Sequence, residues 1–543
     1  MRMRPTTSYL LPFVCLLAMP AVQAQDHTPL PGDDSPTTVL NTETANNTSA
    51  CSAKGTPSYC NEALPNLETS SGNQADGAQT TIVDAFPEHV STISVHRLMY
   101  KNWNGQLICE YQPWFENTGT FNGHINIGYN ENTLATVKKQ DATMITRGCN
   151  INFVDFYGTV DSGQQFNLTT TNNVHTDVSG RTNLPLKLGI LEDQGSFDAQ
   201  VAPYCGNQTP PLSESATISC IENALESDMT YVYNAYISPK AGVYWMDGGT
   251  NVIGYFGACP TFSALICNHS ETDDWDTIWS AVQSYVDSKG YNMKFIFQFG
   301  YYGYPTISAG TYAWPQPYSE SKDKHAFQDN PPSQYWWCDS TGITCNGTSG
   351  GYLDQFYIQS QTPVSDGEVA VGLLYSGFDD SNASWTDGRV IAQQCGRILL
   401  DSANEVTAGA YWGSSHQIPY MMIATWNDYE EGTEQESGVH NCYDAVNLSY
   451  KSGSTTVMDW SLGINSGTLG YQTIDTIHHF ALWTATHGST SLTLRAQPAY
   501  TTTSYDLSTL SLPAGTYDVY LEMVGEPSIQ NEMSATPLEY TQN

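Results

Sequence analysis

Basic residues are scarce in this sequence: 19 Lys plus Arg stand against 55 Asp plus Glu over 543 residues, a formal net charge of −36. Nucleic-acid and anionic-membrane binders need clustered Lys and Arg to displace counterions or meet head groups, so neither partner is expected. Long apolar runs are missing as well, and beyond the first 24 residues no segment is apolar enough for a membrane helix. There is no Cys-x-x-Cys unit, which argues against zinc or thioredoxin chemistry. A P-loop and a His-Glu-x-x-His are also absent, so no cofactor and no metal are expected. Gly347 to Gly351 satisfies Gly-x-Ser-x-Gly, but in a Cys/Asn/Gly loop with no buried strand before it, which is the wrong setting for a serine-hydrolase elbow.

What the chain does have is aromatic mass: 34 Tyr, 13 Trp and 17 Phe, enough for a large core. Residues 1–24 read as an export signal, with Arg2 and Arg4 ahead of an apolar stretch from Leu10 to Met19 and a small-residue cleavage site at Val22-Gln23-Ala24. The expected location is therefore extracellular or periplasmic. Twelve cysteines remain after cleavage, and the close pairs Cys51/Cys60, Cys205/Cys220, Cys259/Cys267 and Cys338/Cys345 read as loop-closing disulfides. Residues 25–80, rich in Pro, Thr, Asn, Ser and Asp, read as a flexible linker.

From about residue 94 the texture becomes that of a folded domain. Gln106 to Trp114 is β-prone, and a helical stretch from Asn130 to Arg147 places Leu134, Val137, Met144 and Ile145 on one face. Asn130 or Asn132 can cap its start and Gly148 can end it. Ile151 to Tyr157 then reads as a second strand, completing a βαβ unit. Further short apolar runs follow at 186–191, 252–256, 293–299, 310–314, 369–375 and 420–426, with helical stretches at 277–288 and 389–403. Eight strands in this rhythm predict a (β/α)₈ barrel over residues 81–443. A doubly wound sheet is the alternative, but no Gly-x-Gly-x-x-Gly follows the first strand. Residues 444–543 alternate in the β manner, with Tyr517, Val519, Leu521 and Met523 on one face, and predict a β-sandwich packed on the barrel or tethered to it.

Chemistry in such a barrel belongs at the carboxyl ends of its strands. The last of these ends is Thr425-Trp426-Asn427-Asp428-Tyr429-Glu430-Glu431-Gly432-Thr433-Glu434-Gln435-Glu436, and five of the nine residues from Asp428 on are acidic. Paired carboxylates supply the general acid and general base that glycosidic cleavage requires. The plainer reading of the run is a solvated loop on an acidic protein.

This segment resembles the end of strand eight in glycoside hydrolase family 71, the α-1,3-glucanases, and is similar to the corresponding segment of family 99, the endo-α-mannosidases and endo-α-mannanases. Glu110 to Phe115, Phe153 to Gly158 and Ser376 to Asp380 resemble their first, second and seventh strand ends. The resemblance is patchy over about residues 95 to 440, and it implies a shared (β/α)₈ catalytic barrel. It also implies that Asp428 is the base and Glu431 the proton donor. Family 71 resemblance implies inversion, with Asp428 activating water; family 99 resemblance implies retention through the sugar's own 2-hydroxyl. A turn shifted by one residue would make Glu430 the acid.

Around this pair, Asn427, Tyr111, Trp114, Asp155, Tyr157, Glu192, Trp314, Asp379, Asp380 and Glu436 are candidate substrate-binding residues. The aromatics among them could stack on sugar faces or belong to the core, and the acids could bind hydroxyls or cap turns. Tyr301 and Tyr302 are further stacking candidates. The expected protein is a secreted, monomeric, endo-acting glycoside hydrolase whose partner is a polysaccharide, α-1,3-glucan before α-mannan. A non-catalytic glycan-binding protein on the same scaffold is the rival, and it would keep the aromatics without needing both acids.

Overall fold

The computed structural model describes residues 90–543 apart from 101–102, 116–128, 160–164, 207, 258–272, 300–305, 316–351, 362–366, 380–389, 392, 394–395, 409–411, 414, 440, 442, 465–475 and 490. The expected export signal and linker, the pairs Cys51/Cys60, Cys259/Cys267 and Cys338/Cys345, Tyr301, Tyr302, Gly347 to Gly351 and Asp380 lie outside the described residues.

Eight parallel strands form the barrel: β1 (Gln106–Tyr111), β2 (Ile151–Phe156), β3 (Lys187–Asp193), β4 (Thr250–Phe256), β5 (Met293–Gln298), β6 (Gly310–Tyr312), β7 (Val369–Leu374) and β8 (Tyr420–Ile423). Each pairs with the next, and β1 pairs with β8, so the sheet closes and no edge is left. All eight strands lie within the runs expected from the sequence or extend them by a residue or two, and the barrel expectation holds. Helices between them are α1 (Leu134–Thr146), α2 (Gln165–Gly180), α3 (Gln194–Val201), α4 (Glu214–Val232), α5 (Asp273–Lys289), α6 (Tyr352–Gln359) and α7 (Arg397–Ala408).

Side-chain alternation sorts each strand into barrel-facing and helix-facing residues. Phe153 fills the barrel interior, edge-on to Trp245 and Tyr312. Two glycines make room for it. A Cβ at Gly254 would sit 2.4 Å from the Phe153 ring, and one at Gly189 would sit 2.9 Å from it.

Helix α1 departs in detail from the expected pattern. Thr133 caps it, its side chain accepting from the Thr136 N–H, because Asn130 spends its side chain on the Asn132 N–H in a preceding turn. Gly148 closes it with a φ of +96°, as expected. The buried face carries Thr136, Gln140 and Asp141 beside Val137 and Met144, while Leu134 and Ile145 are only half-buried. Among those polar groups, Asp141 Oδ1 accepts from the Asn152 side chain at 2.8 Å and Gln140 accepts the Tyr111 hydroxyl at 2.8 Å.

Antiparallel strands β9 (Tyr443–Tyr450), β10 (Val457–Ile464) and β13 (Ser504–Asp506) form one sheet of the C-terminal domain. Strands β11 (Ile477–Thr486), β12 (Thr493–Ala496), β14 (Gly515–Gly525), β15 (Glu532–Met533) and β16 (Leu538–Gln542) form the other. The expected face of Tyr517, Val519, Leu521 and Met523 is buried in the core between them. The short segment 90–99 joins barrel and sandwich. Ser91 N–H donates to Ile529 at 2.9 Å, Val439 pairs with Ile529, and Arg97 meets Glu526 at 3.1 Å with both side chains buried.

Two disulfides are described. Cys205–Cys220 matches the expected short-range pairing. Cys109–Cys149 closes a 40-residue separation by joining β1 to the residue leading into β2.

Candidate active site

The acidic segment after β8 is a tightly bonded turn. Thr425 and Thr433 are joined by a backbone bond of 3.2 Å and by their hydroxyls at 2.9 Å, which closes the loop at its base. Thr425 Oγ1 also accepts the Asp428 N–H at 2.8 Å. Asp428 Oδ1 in turn accepts the N–H groups of Glu430 at 3.0 Å and Glu431 at 3.1 Å. The base candidate therefore caps the turn that carries the acid candidate. Asp428 and Glu430 are buried and Glu431 is half-buried.

Two buried side chains hold this turn against β1 and α1. Asn427 brackets Gln112, its Oδ1 accepting the Gln112 N–H at 2.8 Å and its Nδ2 donating to the Gln112 carbonyl at 2.9 Å. Its Nδ2 also reaches Glu131 at 2.7 Å, and Glu131 accepts from the Phe115 N–H at 2.9 Å and from Gln140 at 3.2 Å. Arg147, at the end of α1, donates to the carbonyls of Gln435 and of Glu436, the latter at 2.9 Å, and its guanidinium lies 5.1 Å from the Trp426 ring centre. Asn427 is fully buried in this network, where it contacts Gln112, just past β1, and Glu131.

An aromatic wall stands beside the turn. Trp114 meets Tyr157 edge-on at 5.4 Å, Phe115 meets Tyr429 at 5.8 Å, and Tyr129 packs with them. Glu436 accepts the hydroxyls of Tyr129 at 2.5 Å and Tyr429 at 2.9 Å. Burial raises its pKa against the lowering effect of those two bonds.

The barrel mouth adds more carboxyls. Glu110 shares its register with Phe153, and Asp155 lies two residues beyond Phe153, so both face the interior. Asp193 is two residues beyond Leu191, the register partner of Asp155, and it caps α3 by accepting the Ser196 N–H at 2.7 Å. Burial pushes Glu110 well above the usual carboxylate range, helped by the charges of Asp428, Glu431 and Asp193. Asp155 is raised by burial and then by Asp193, Glu110, Asp428 and Glu192. Asp193 is pushed up to about 6, again chiefly by burial. No cation figures among the causes at these three residues, so each of these barrel-mouth acids holds its proton more tightly than an exposed carboxyl does.

The candidates from the sequence thus separate. Asp428, Glu431, Trp114, Asp155, Tyr157 and Glu436 gather around the turn and the barrel mouth. Tyr111 is fully buried on the helix side, with its hydroxyl on Gln140 at 2.8 Å, so its ring belongs to the core. Glu192 shares its register with Phe156 and Tyr255, whose rings pack on helix residues, and its chief electrostatic neighbour is Asp228 of α4. Trp314 is buried edge-on against Phe256 at 4.8 Å. Asp379 lies in a two-residue strand paired with Val390–Ile391. Sequence reasoning passes over Glu110, Glu131 and Asp193. The available signal for Glu110 was an acid inside the otherwise uncharged strand QLICEY. Among the described residues, no group of three or more His, Cys, Asp or Glu is placed to hold a metal ion. No described helix is long and apolar enough to cross a membrane.

No family model and no curated protein matches the sequence. Among solved structures, the GH99 endo-alpha-mannosidase from Bacteroides thetaiotaomicron is similar with a TM-score of 0.39 at 11% identity, over 62% of this chain and 88% of that one. The same enzyme in complex with BIS-TRIS-Propane gives 0.39 at 12% identity over the same shares. A glycoside hydrolase-like protein gives 0.38 at 11% identity, over 62% and 87%. The fold assignment rests on the closed strand order itself.

Proposed function

We propose that the protein is a secreted, endo-acting glycoside hydrolase that cleaves an α-linked polysaccharide, with α-1,3-glucan as first substrate. The observation that carries this reading is the capped turn after β8, in which Asp428 fixes the backbone at Glu431 beside the wall of Trp114, Tyr157 and Tyr429. The family-like order of that segment supports it. In the proposed reaction Glu431 protonates the leaving glycosidic oxygen while Asp428 takes a proton from the attacking water, which bonds to the anomeric carbon as the bond to the leaving oxygen breaks. Asp is shorter than Glu by one methylene, which leaves room for that water and favours inversion. Asp155 and Glu436 would bind hydroxyls, and the catalytic unit would span residues 81–443.

A second reading, endo-α-mannanase of the family 99 type, is favoured by the Gly432-Thr433 and Glu436 positions, which match only that pattern. There Asp428 would deprotonate the sugar's 2-hydroxyl. The test is incubation of the parent, Asp428→Asn and Glu431→Gln with α-1,3-glucan and with α-mannan. Cleavage by the parent alone is expected. If the variants cut as well as the parent, the site assignment fails; if neither polymer is cut by the parent, the substrate assignment fails. The anomer of the first product, followed by NMR, separates inversion from retention.

A further inference from the structure

Glu110 is an ionisable group at the barrel mouth that the two-acid reading does not use. It is fully buried and faces the barrel interior at the end of β1. Its backbone carbonyl accepts the Trp426 N–H at 2.7 Å, which ties it directly to the start of the acidic turn. One carboxyl oxygen, Oε2, accepts from the Gln112 side chain at 3.3 Å, while Oε1 has no hydrogen-bond partner among the described residues. Asp155, on the neighbouring strand, likewise has a buried oxygen without a partner. A buried polar atom left without a hydrogen bond costs about 1–3 kcal/mol, so an oxygen in that state at the carboxyl end of a barrel strand points to something that completes it when bound.

Burial first, and the acids nearby second, favour the protonated form of Glu110. From the β8 turn it faces Asp428 and Glu431, from the end of β3 Asp193, and from the end of β2 Asp155. All are acids, so they disfavour a negative charge on Glu110. The strand order β8, β1, β2, β3 sets Glu110 between the Asp428/Glu431 turn and the Asp155 and Asp193 carboxyls.

We propose, resting on the glycosidase reading, that Glu110 is a third substrate-contacting carboxyl of the site, which in its protonated form donates a hydrogen bond to a sugar hydroxyl beside the bond that Asp428 and Glu431 act on. A donor at this position recognises a polyhydroxylated, uncharged sugar unit. It would disfavour one that places an anionic group there, because a carboxylate or sulfate would meet the acids on either side.

The test uses the full chain. Glu110→Gln keeps a donor of the same shape, and Glu110→Leu keeps volume without one. Glu110→Gln is expected to hold kcat/KM for the cleaved polymer within about threefold, and Glu110→Leu to lose about 10- to 100-fold, the worth of one hydrogen bond to a buried polar group. Equal losses in both, or no loss in the Leu variant, overturn the role. A second readout needs no substrate: the infrared difference spectrum of parent against Glu110→Gln at neutral pH should show the carbonyl band of a protonated carboxyl. Absence of that band overturns the proposal even where activity changes. Presence of the band in a parent that cuts neither polymer shows that the substrate reading failed and that Glu110 was assigned its correct form, with melting temperatures of the variants as the control for folding.

Discussion

Asp428 Oδ1 accepts the backbone N–H of Glu431 at 3.1 Å, so the carboxylate cast as base also builds the turn that presents the acid. Those two roles separate by mutation. Asp428→Asn keeps an oxygen that can accept both turn N–H groups but cannot take a proton, so kcat should fall by about 10²- to 10⁴-fold at a nearly unchanged melting temperature. Asp428→Ala should lose the same activity and also about 1 kcal/mol of stability, as loss of a cap does. Thermal melts and polymer hydrolysis on both variants check this.

Glu131 is a positioning residue for the same turn, reached through Asn427. Glu131→Leu strands the donors of Phe115, Gln140 and Asn427 in a buried site and should cost about 3 kcal/mol or more in urea unfolding. Glu131→Gln retains one acceptor oxygen and should recover part of the loss. Because Asn427 sets where Asp428 begins, the Gln variant should lower kcat with little change in KM.

Stability should fall as pH rises. Burial pushes Asp193 up to about 6 and Asp228 up to about 7, from ordinary values near 3.8. The folded chain therefore keeps protons that the unfolded chain has released. Their stabilising contribution is complete below about 3.8 and is lost as pH climbs through 6 and 7. Melting temperature should drop between about pH 4 and about pH 8, and Asp228→Asn should flatten that slope. A profile that rises over this range would contradict the burial of these acids.

Arg147 holds two adjacent carbonyls with one fork, at Gln435 and Glu436. Lysine keeps the charge but offers a single ammonium without the planar geometry. Arg147→Lys should lower activity by about tenfold through a loosened turn, with the loss appearing in kcat more than in KM. Equal kinetics in the variant would show that the turn holds its shape without the fork.

Cys109–Cys149 closes a 40-residue separation around α1. Replacing both cysteines with Ala should cost about 2–5 kcal/mol, seen as a lower melting temperature that no longer responds to reductant at this bond.

The barrel was legible because each strand is a short apolar run bounded by polar loops, a pattern that burial on both faces imposes. The acidic turn was legible because its acids are consecutive. Less legible was which way a side chain points at a strand end. Glu110 and Tyr111 are neighbours and must face opposite sides, so choosing the tyrosine as a cleft residue chose the helix-facing position. The same one-residue offset separates Glu192 from Asp193. Cys109–Cys149 escaped the short-range pairing rule because a βαβ unit brings residues far apart in sequence side by side on parallel strands. Thr133 took the cap of α1, while the side chain of Asn130 was already committed to its own turn.

The seam of residues 90–99 makes the C-terminal domain a buttress and not an exchangeable accessory. Cutting it away would take the carboxylate of Glu526 from the buried Arg97 and would uncover Gly396, whose missing side chain is the space that Ile529 occupies. Shuffling this barrel onto another binding module would therefore mean transplanting residues 90–99 with a matching socket, since the joint is formed by both ends of the described chain at once.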